Sequence, residues 1–343
     1  MPENREAPGR MLALNVVVYP AKSATPAKEA IAFFSGGPGT AVTRDAQWYA
    51  REHQSVRDTR DLLFVDQRGT GGSAPLQCAL RDTANPQSYL DDFLPPAAVA
   101  RCREELSRSA DLMRYGFADL AHDTEAVRQA LGYEKLDLSG GSYGTRAALG
   151  YLRLYPQNVR SVMLLGLVPP GFLQPAPYAR DLDAALAGLF AECRADAACN
   201  ADYPDLEREA REVANRLDAA PGVAEIVDAR SGRRIRLALS RGTFVETIRR
   251  MLYDAPSARS VPYFIHRAYR GDFAPVARTA LRDRRGMMQS SWWGLFLSIT
   301  CSEDVPFIDR AAAAADNGRT MLGDYRVAQQ AQACDTGWPT YAV

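Results

Sequence analysis

The chain is poor in histidine. His53, His122 and His266 are the only three in 343 residues. Lysine is equally scarce: Lys22, Lys28 and Lys135 stand alone, and every other basic residue is arginine. Arginine in place of lysine, with so much alanine, fits a GC-rich genome more than a function. Basic and acidic side chains cancel to a formal net charge of zero. That balance gives no electrostatic footprint for nucleic acid or an acidic membrane surface. There is no apolar run of about 18 residues, so no membrane span is expected. No signal-peptide pattern, internal repeat or low-complexity segment is visible. The cysteines lack the paired short spacings of a zinc site, and three histidines add little to one. No metal and no cofactor are therefore expected.

What is present is ordinary for a globular enzyme: 47% apolar and 24% charged residues. Six cysteines allow many pairings. The simplest joins neighbours, as Cys78–Cys102, Cys193–Cys199 and Cys301–Cys334. An even count in loop-like sequence favours disulfides and an oxidising compartment, periplasmic or extracellular.

The most informative stretch is GGSYGT, residues 140–145, at the end of the strand-like run 135–139. It reads G-x-S-x-G between a strand and a helix that Pro156 stops. In that setting the serine stands at the tip of a sharp turn. Residues two before and two after it must be small, which Gly140 and Gly144 satisfy; Gly141 relaxes the turn further. The following helix N-terminus offers N–H groups and a positive dipole end to a developing oxyanion. Ser142 is the candidate nucleophile.

Periodicity predicts strands over residues 11–19, 30–34, 61–65, 135–139 and 161–167. Helices are expected over 43–52, 97–107, 117–131 and 143–155. Alternating apolar strands and helices imply a mostly parallel sheet covered on both faces, an α/β fold. Loops at the carboxyl ends of such strands carry function, so the three glycine-rich stretches should share one edge. After Gly171 the pattern turns helical, with segments at 179–194, 205–219, 243–253, 261–270 and 273–284. A two-strand interruption falls near 226–239. This block reads as a cap. The expected division is 1–169 core, 170–300 cap and 301–343 a return segment. Trp292, Trp293 and Phe296, in the most apolar block, are candidates to line a substrate pocket.

Together GGPG (36–39), DQRGTGGS (66–73), GGSYGT (140–145), the run 146–170 and TCSED (300–304) followed by Cys334 and Trp338 resemble one family. It is the proline iminopeptidase and tripeptidyl aminopeptidase branch of the α/β hydrolases, serine peptidase family S33. The resemblance implies an α/β-hydrolase fold with an inserted helical cap. It implies a serine exopeptidase that removes residues or short peptides from free peptide N-termini, with peptides as substrates; a monomer is expected of the complete protein. It assigns Gly37 and Tyr143 as backbone oxyanion donors. Ser35 stands where many relatives have histidine. Arg68 and Asp66 are expected to pair and hold neighbouring loops. Glu303 and Asp304 are the candidate contacts for a substrate ammonium.

The family's order is Ser, then an acid, then His in a Gly-His context. No histidine here has that context. The resemblance therefore implies a chain that stops before the last strands of the core, with the triad Asp and His absent and little activity. An esterase or lipase-like hydrolase on the same fold is one alternative. A non-catalytic binding protein is the other.

Overall fold

The computed structural model describes residues 1–7 and 9–341. Five strands form the central sheet: β1 (Val16–Tyr19), β2 (Glu29–Phe34), β3 (Asp61–Val65), β4 (Lys135–Gly141) and β5 (Val159–Leu165). Their order is β1-β3-β2-β4-β5, with β1 antiparallel to β3 and the other pairs parallel. The first strand is shorter than the β-branched run suggested. Only its second half joins the sheet, while Met11 makes an isolated bridge to Pro2.

Helices cover both faces of the inner strands. On one face α1 (Ala46–Glu52) lays Ala46 and Ala50 on Phe33, Leu62 and Phe64. On the other, α2 (Pro96–Leu106), α3 (Phe117–Leu131) and α4 (Tyr143–Leu154) pack on Ala32, Phe34, Leu63, Leu136 and Leu138. The crossovers after β2 and β4 therefore run to opposite faces, and β2 and β4 are neighbours. That is the topological switch point, where a crevice opens at the strands' carboxyl ends. The chain places the GGPG loop and the GGSYGT turn on its two sides. β5 ends the sheet: Val162 and Leu164 pack inward, while Met163 and Leu165 are exposed.

The cap comprises α5 (Tyr178–Ala195), α6 (Ala197–Asp202), α7 (Leu206–Ala219), the hairpin β6 (Gly222–Val227) and β7 (Arg234–Leu239), α8 (Arg241–Met251), α9 (Ala255–Ala258), α10 (Val261–Tyr269) and α11 (Ala274–Ser290). Its apolar cluster also takes in Tyr89, Leu90, Met321 and Leu322. Beyond it, α12 (Trp293–Ile299), a π-helical turn (Thr300–Asp304), α13 (Arg310–Asn317) and α14 (Tyr325–Cys334) follow. Trp293, Leu295, Leu297, Ile299 and Trp338 pack in the sheet-side cluster, so the change of partner falls near residue 290. The cysteines pair as Cys78–Cys102, Cys193–Cys199 and Cys301–Cys334. Among the described residues no helix is long and apolar enough to cross a membrane.

Two polar knots hold the core. Arg68 does not pair with Asp66. Its fully buried guanidinium donates from Nε and Nη2 to Asp123, both at 2.7 Å, and from Nη1 to the carbonyls of Glu3 and Arg114. Asp66 instead accepts from Asn15 Nδ2, the Thr43 N–H and hydroxyl, and the Gly72 N–H. The second knot joins α3 to α4. Glu125 accepts from Arg128, Gln129, Asn158 and the Tyr151 hydroxyl. Burial alone would raise the Glu125 carboxyl, but the hydrogen bonds from Arg128, Tyr151 and Gln129 outweigh it and bring it down to about 2.

A carboxyl lowered by folding contributes stability that is present at neutral pH. That contribution is lost as pH falls from the ordinary glutamate range towards about 2. Glu125→Gln should therefore lower the urea midpoint at pH 7 and flatten its decline with acidity. Parallel slopes for the variant and the parent chain would reject this account.

Candidate active site

Ser142 is held by steric exclusion. Its φ is +53° and its ψ −126°, a backbone that a non-glycine residue rarely adopts. Such a conformation costs on the order of 1–3 kcal/mol and persists only where the surroundings impose it. Here β4 leads into the turn, the Ser142 N–H donates to the Leu165 carbonyl, and the Ser142 carbonyl accepts from the Thr145 N–H and hydroxyl. A Cβ on Gly140 would meet the Gly144 carbonyl oxygen at 2.5 Å. One on Gly144 would collide with the Phe34 carbonyl, whose carbon would lie at 2.6 Å. Gly141 has open space around it, so the turn does not need glycine there.

Gly144→Ala should separate β2 from α4 and withdraw Ser142 from its turn. A loss of about 2–4 kcal/mol is expected, together with loss of Ser142 reactivity. Gly141→Ala is the control, and denaturant melts of the two variants give the comparison. Equal stability of the two would reject the steric account.

The GGPG loop lies against this turn. A Cβ on Gly36 would sit 3.1 Å from Ser142 Cβ, and Gly37 has φ +115°, which glycine accepts. Neither the Gly37 N–H nor the Tyr143 N–H donates to another group among the described residues. Tyr143 opens α4, so its N–H is one of the unsatisfied donors of a helix N-terminus. Ser142 itself is exposed. The arrangement offers an oxygen nucleophile beside two free N–H groups, as stabilisation of a tetrahedral oxyanion requires.

Above it lies a cavity with two lobes. The first, about 480 Å³, contains Ser142 and is walled by Val168, Phe172, Asp181 and Tyr253. The second, about 560 Å³, is walled by Phe93, Trp293, Phe296 and Arg326. Gly37, Tyr178, Arg249 and Arg250 border both. Trp293 and Phe296 thus face a lobe. Trp292 instead exchanges backbone contacts with the GGPG loop, its N–H donating to the Gly39 carbonyl at 2.8 Å.

Neither Glu303 nor Asp304 lines either lobe, and each is 3% exposed. Arg146 of α4 lies between them: its Nη2 donates to Asp304 at 3.0 Å, and its Nη1 is 3.5 Å from Glu303. Glu303 also accepts from the Phe117 N–H and the Tyr341 hydroxyl, and Asp304 from the Gln174 N–H. Burial raises both carboxyls above their ordinary values, against the pull of Arg146. This network anchors the elbow helix. Arg146 and the cap arginines carried no sequence signal, because their partners lie far along the chain.

The family profile of the α/β hydrolase fold matches residues 29–259. The chain belongs to the α/β hydrolase fold family. Among curated relatives, the serine protease Hip1 of Mycobacterium tuberculosis is 32% identical over 149 residues, covering 39% of this chain and 28% of that protein. The proline iminopeptidase of Aeromonas sobria is 30% identical over 143 residues, covering 40% and 28%. That of Neisseria meningitidis serogroup B is 25% identical over 150 residues, covering 44% and 36%. The matched stretches therefore span well under two thirds of these relatives.

In this hydrolase no imidazole hydrogen-bonds Ser142 among the described residues. His53 packs on Phe33 and Tyr49, with Nδ1 3.0 Å from the Tyr49 carbonyl. His122 Nδ1 lies 2.6 Å from the Tyr155 hydroxyl. His266 in the cap faces Glu209 at 3.0 Å and meets the Tyr203 ring edge-on.

Proposed function

We propose that this α/β hydrolase is a serine exopeptidase, releasing residues or short peptides from free peptide N-termini. Supporting the serine chemistry is one observation: Ser142 stands exposed on a strained turn beside the GGPG loop, and among the described residues neither the Gly37 nor the Tyr143 N–H donates to another group. Ser142 Oγ adds to the scissile carbonyl, and the carbonyl oxygen takes up the charge between the Gly37 and Tyr143 N–H groups. The C–N bond then breaks, the amine leaves with a proton, and water hydrolyses the resulting ester on Ser142. The hydroxyl proton must pass to a base. Among the described residues none of the three histidines hydrogen-bonds Ser142, since each is engaged elsewhere.

The peptidase reading draws on the names of the relatives. Asp181 supports it locally: it is the one carboxylate among the residues lining the Ser142 lobe, and we assign it the substrate ammonium. The three disulfides favour a site of action outside the cytosol.

Three substrates test the proposal with imidazole added as base: an aminoacyl anilide, its N-acetylated form and a simple ester. The free amine should be preferred, and Ser142→Ala should abolish the reaction. Preference for the blocked or ester substrate would remove the exopeptidase reading. Turnover unchanged in Ser142→Ala would remove the nucleophile.

A further inference from the structure

We infer that the second lobe selects substrates carrying a carboxylate, held by Arg250 and Arg326 one lobe away from the scissile carbonyl. The inference rests on the reading of Ser142 as the reacting group and names the substrate class that reading leaves open.

The wall between the lobes contains more positive charge than it neutralises. Glu246 is 2% exposed. It accepts from Arg249 at 2.7 and 2.9 Å and from Arg326 at 2.6 Å. Arg284, buried beside them, makes no ion pair among the described residues. Its polar contact is the Tyr325 hydroxyl at 3.5 Å, and its Nη1 has no partner. Three guanidinium groups therefore surround one carboxylate. Arg81 lies close to Arg284, with the carboxylates of Asp91 and Asp92 also near it. Burial and the neighbouring Arg284 lower it to about 10.

Arg326 reaches the lobe from this wall, its guanidinium over the Phe93 ring at 4.2 Å and its buried Nε without a partner among the described residues. Arg250 lies at the rim, exposed, bordering both lobes, without a hydrogen bond or ion pair among the described residues. The other two charges of the lining cancel, since Arg282 Nε donates to Asp283 at 2.8 Å.

Buried charge without a counter-charge is costly, and an anion in the lobe would offset that cost. A guanidinium fork matches a carboxylate in geometry as well as charge. The aromatic wall of Phe93, Trp293 and Phe296 suits a carbon chain carrying that carboxylate. Gly37 borders both lobes, so one substrate can span them. The carboxylate is either an acidic side chain or the terminus of a short peptide. By the same charge, lysine or arginine at that position is rejected.

Calorimetric titration of Ser142→Ala with three short peptides, all with free N-termini, tests this without turnover. One carries glutamate and an amidated C-terminus. One is its glutamine isostere, also amidated. The third is the glutamine peptide with a free C-terminal carboxylate. At least one acidic peptide should bind about tenfold or more tightly than the neutral one, and which one identifies the source of the carboxylate.

Arg250→Gln and Arg326→Gln, each in that background, should erase the advantage. Arg326 also holds Glu246, so where its variant fails to fold, the exposed Arg250 carries the test. Equal affinities, no binding by any peptide, or an advantage that survives Arg250→Gln would overturn the inference. Reaction of Ser142 with a fluorophosphonate is read separately in the parent chain. Failure of the lobe and failure of the nucleophile therefore give different results.

Discussion

Added imidazole is expected to accelerate covalent modification of Ser142 by at least about tenfold, short of the roughly hundredfold or more that a positioned general base supplies. The measurement is fluorophosphonate labelling, with the modified peptide located by mass spectrometry. Ser142 is exposed and already sits beside the Gly37 and Tyr143 N–H groups. What the chain does not bring to it is an imidazole. His122 is held by Tyr155 and His266 by Glu209. Burial, with Arg5 nearby, also lowers the His122 pKa. The gain should follow the neutral form of the added imidazole and rise through roughly pH 6.5. Ser142→Ala should show neither labelling nor gain. Rapid labelling without imidazole, with its own inflection in that range and lost in His266→Gln or His122→Gln, would mean that a resident histidine reaches Ser142.

Arg68→Ala should cost about 3–5 kcal/mol, the loss typical of removing one partner from a buried ion pair. Arg68 has no exposure, and Asp123 is 1% exposed. Their two hydrogen bonds are both 2.7 Å. The variant would leave the Asp123 carboxylate without its cation and the Glu3 and Arg114 carbonyls without their donor. The N-terminal segment, the loop after β3 and α3 are joined at this one side chain, so the loss should be global. Urea unfolding at neutral pH reads it as a lower midpoint. Arg68→Lys keeps the charge but not the fork and should fall between the two. A cost below about 1 kcal/mol for Arg68→Ala would show that the knot contributes little.

Local rules were readable where their cause is local. The elbow could be found from residues 140–144 because its glycines are demanded by backbone contacts within a few residues and by the strand beside it. The helix Phe117–Leu131 ends where Gly132 takes a left-handed φ of +76°. The order of strands and helices could be read too, since apolar runs and their breaks follow from each element's own burial. Ion-pair partners could not be read in this way. Arg68 sits two residues from Asp66 yet pairs with Asp123, and Glu303 and Asp304 meet Arg146, more than 150 residues earlier. The short span of β1 was hidden for a related reason: residues 11–15 have strand-like composition, but only residues 16–19 find a partner strand. The cationic wall is a product of tertiary packing alone, gathered from α8, α11 and α14.

The composition of the cap's apolar cluster limits how this α/β hydrolase-fold chain can be re-engineered. Tyr89 and Leu90 come from before the elbow, and Met321 and Leu322 from after α13. A cap exchanged as a single cassette between residues 170 and 290 would strand those four side chains against a foreign surface. Chimaeras that transplant specificity will need three splice regions rather than one. Shuffling the cap as an independent module is closed to this chain.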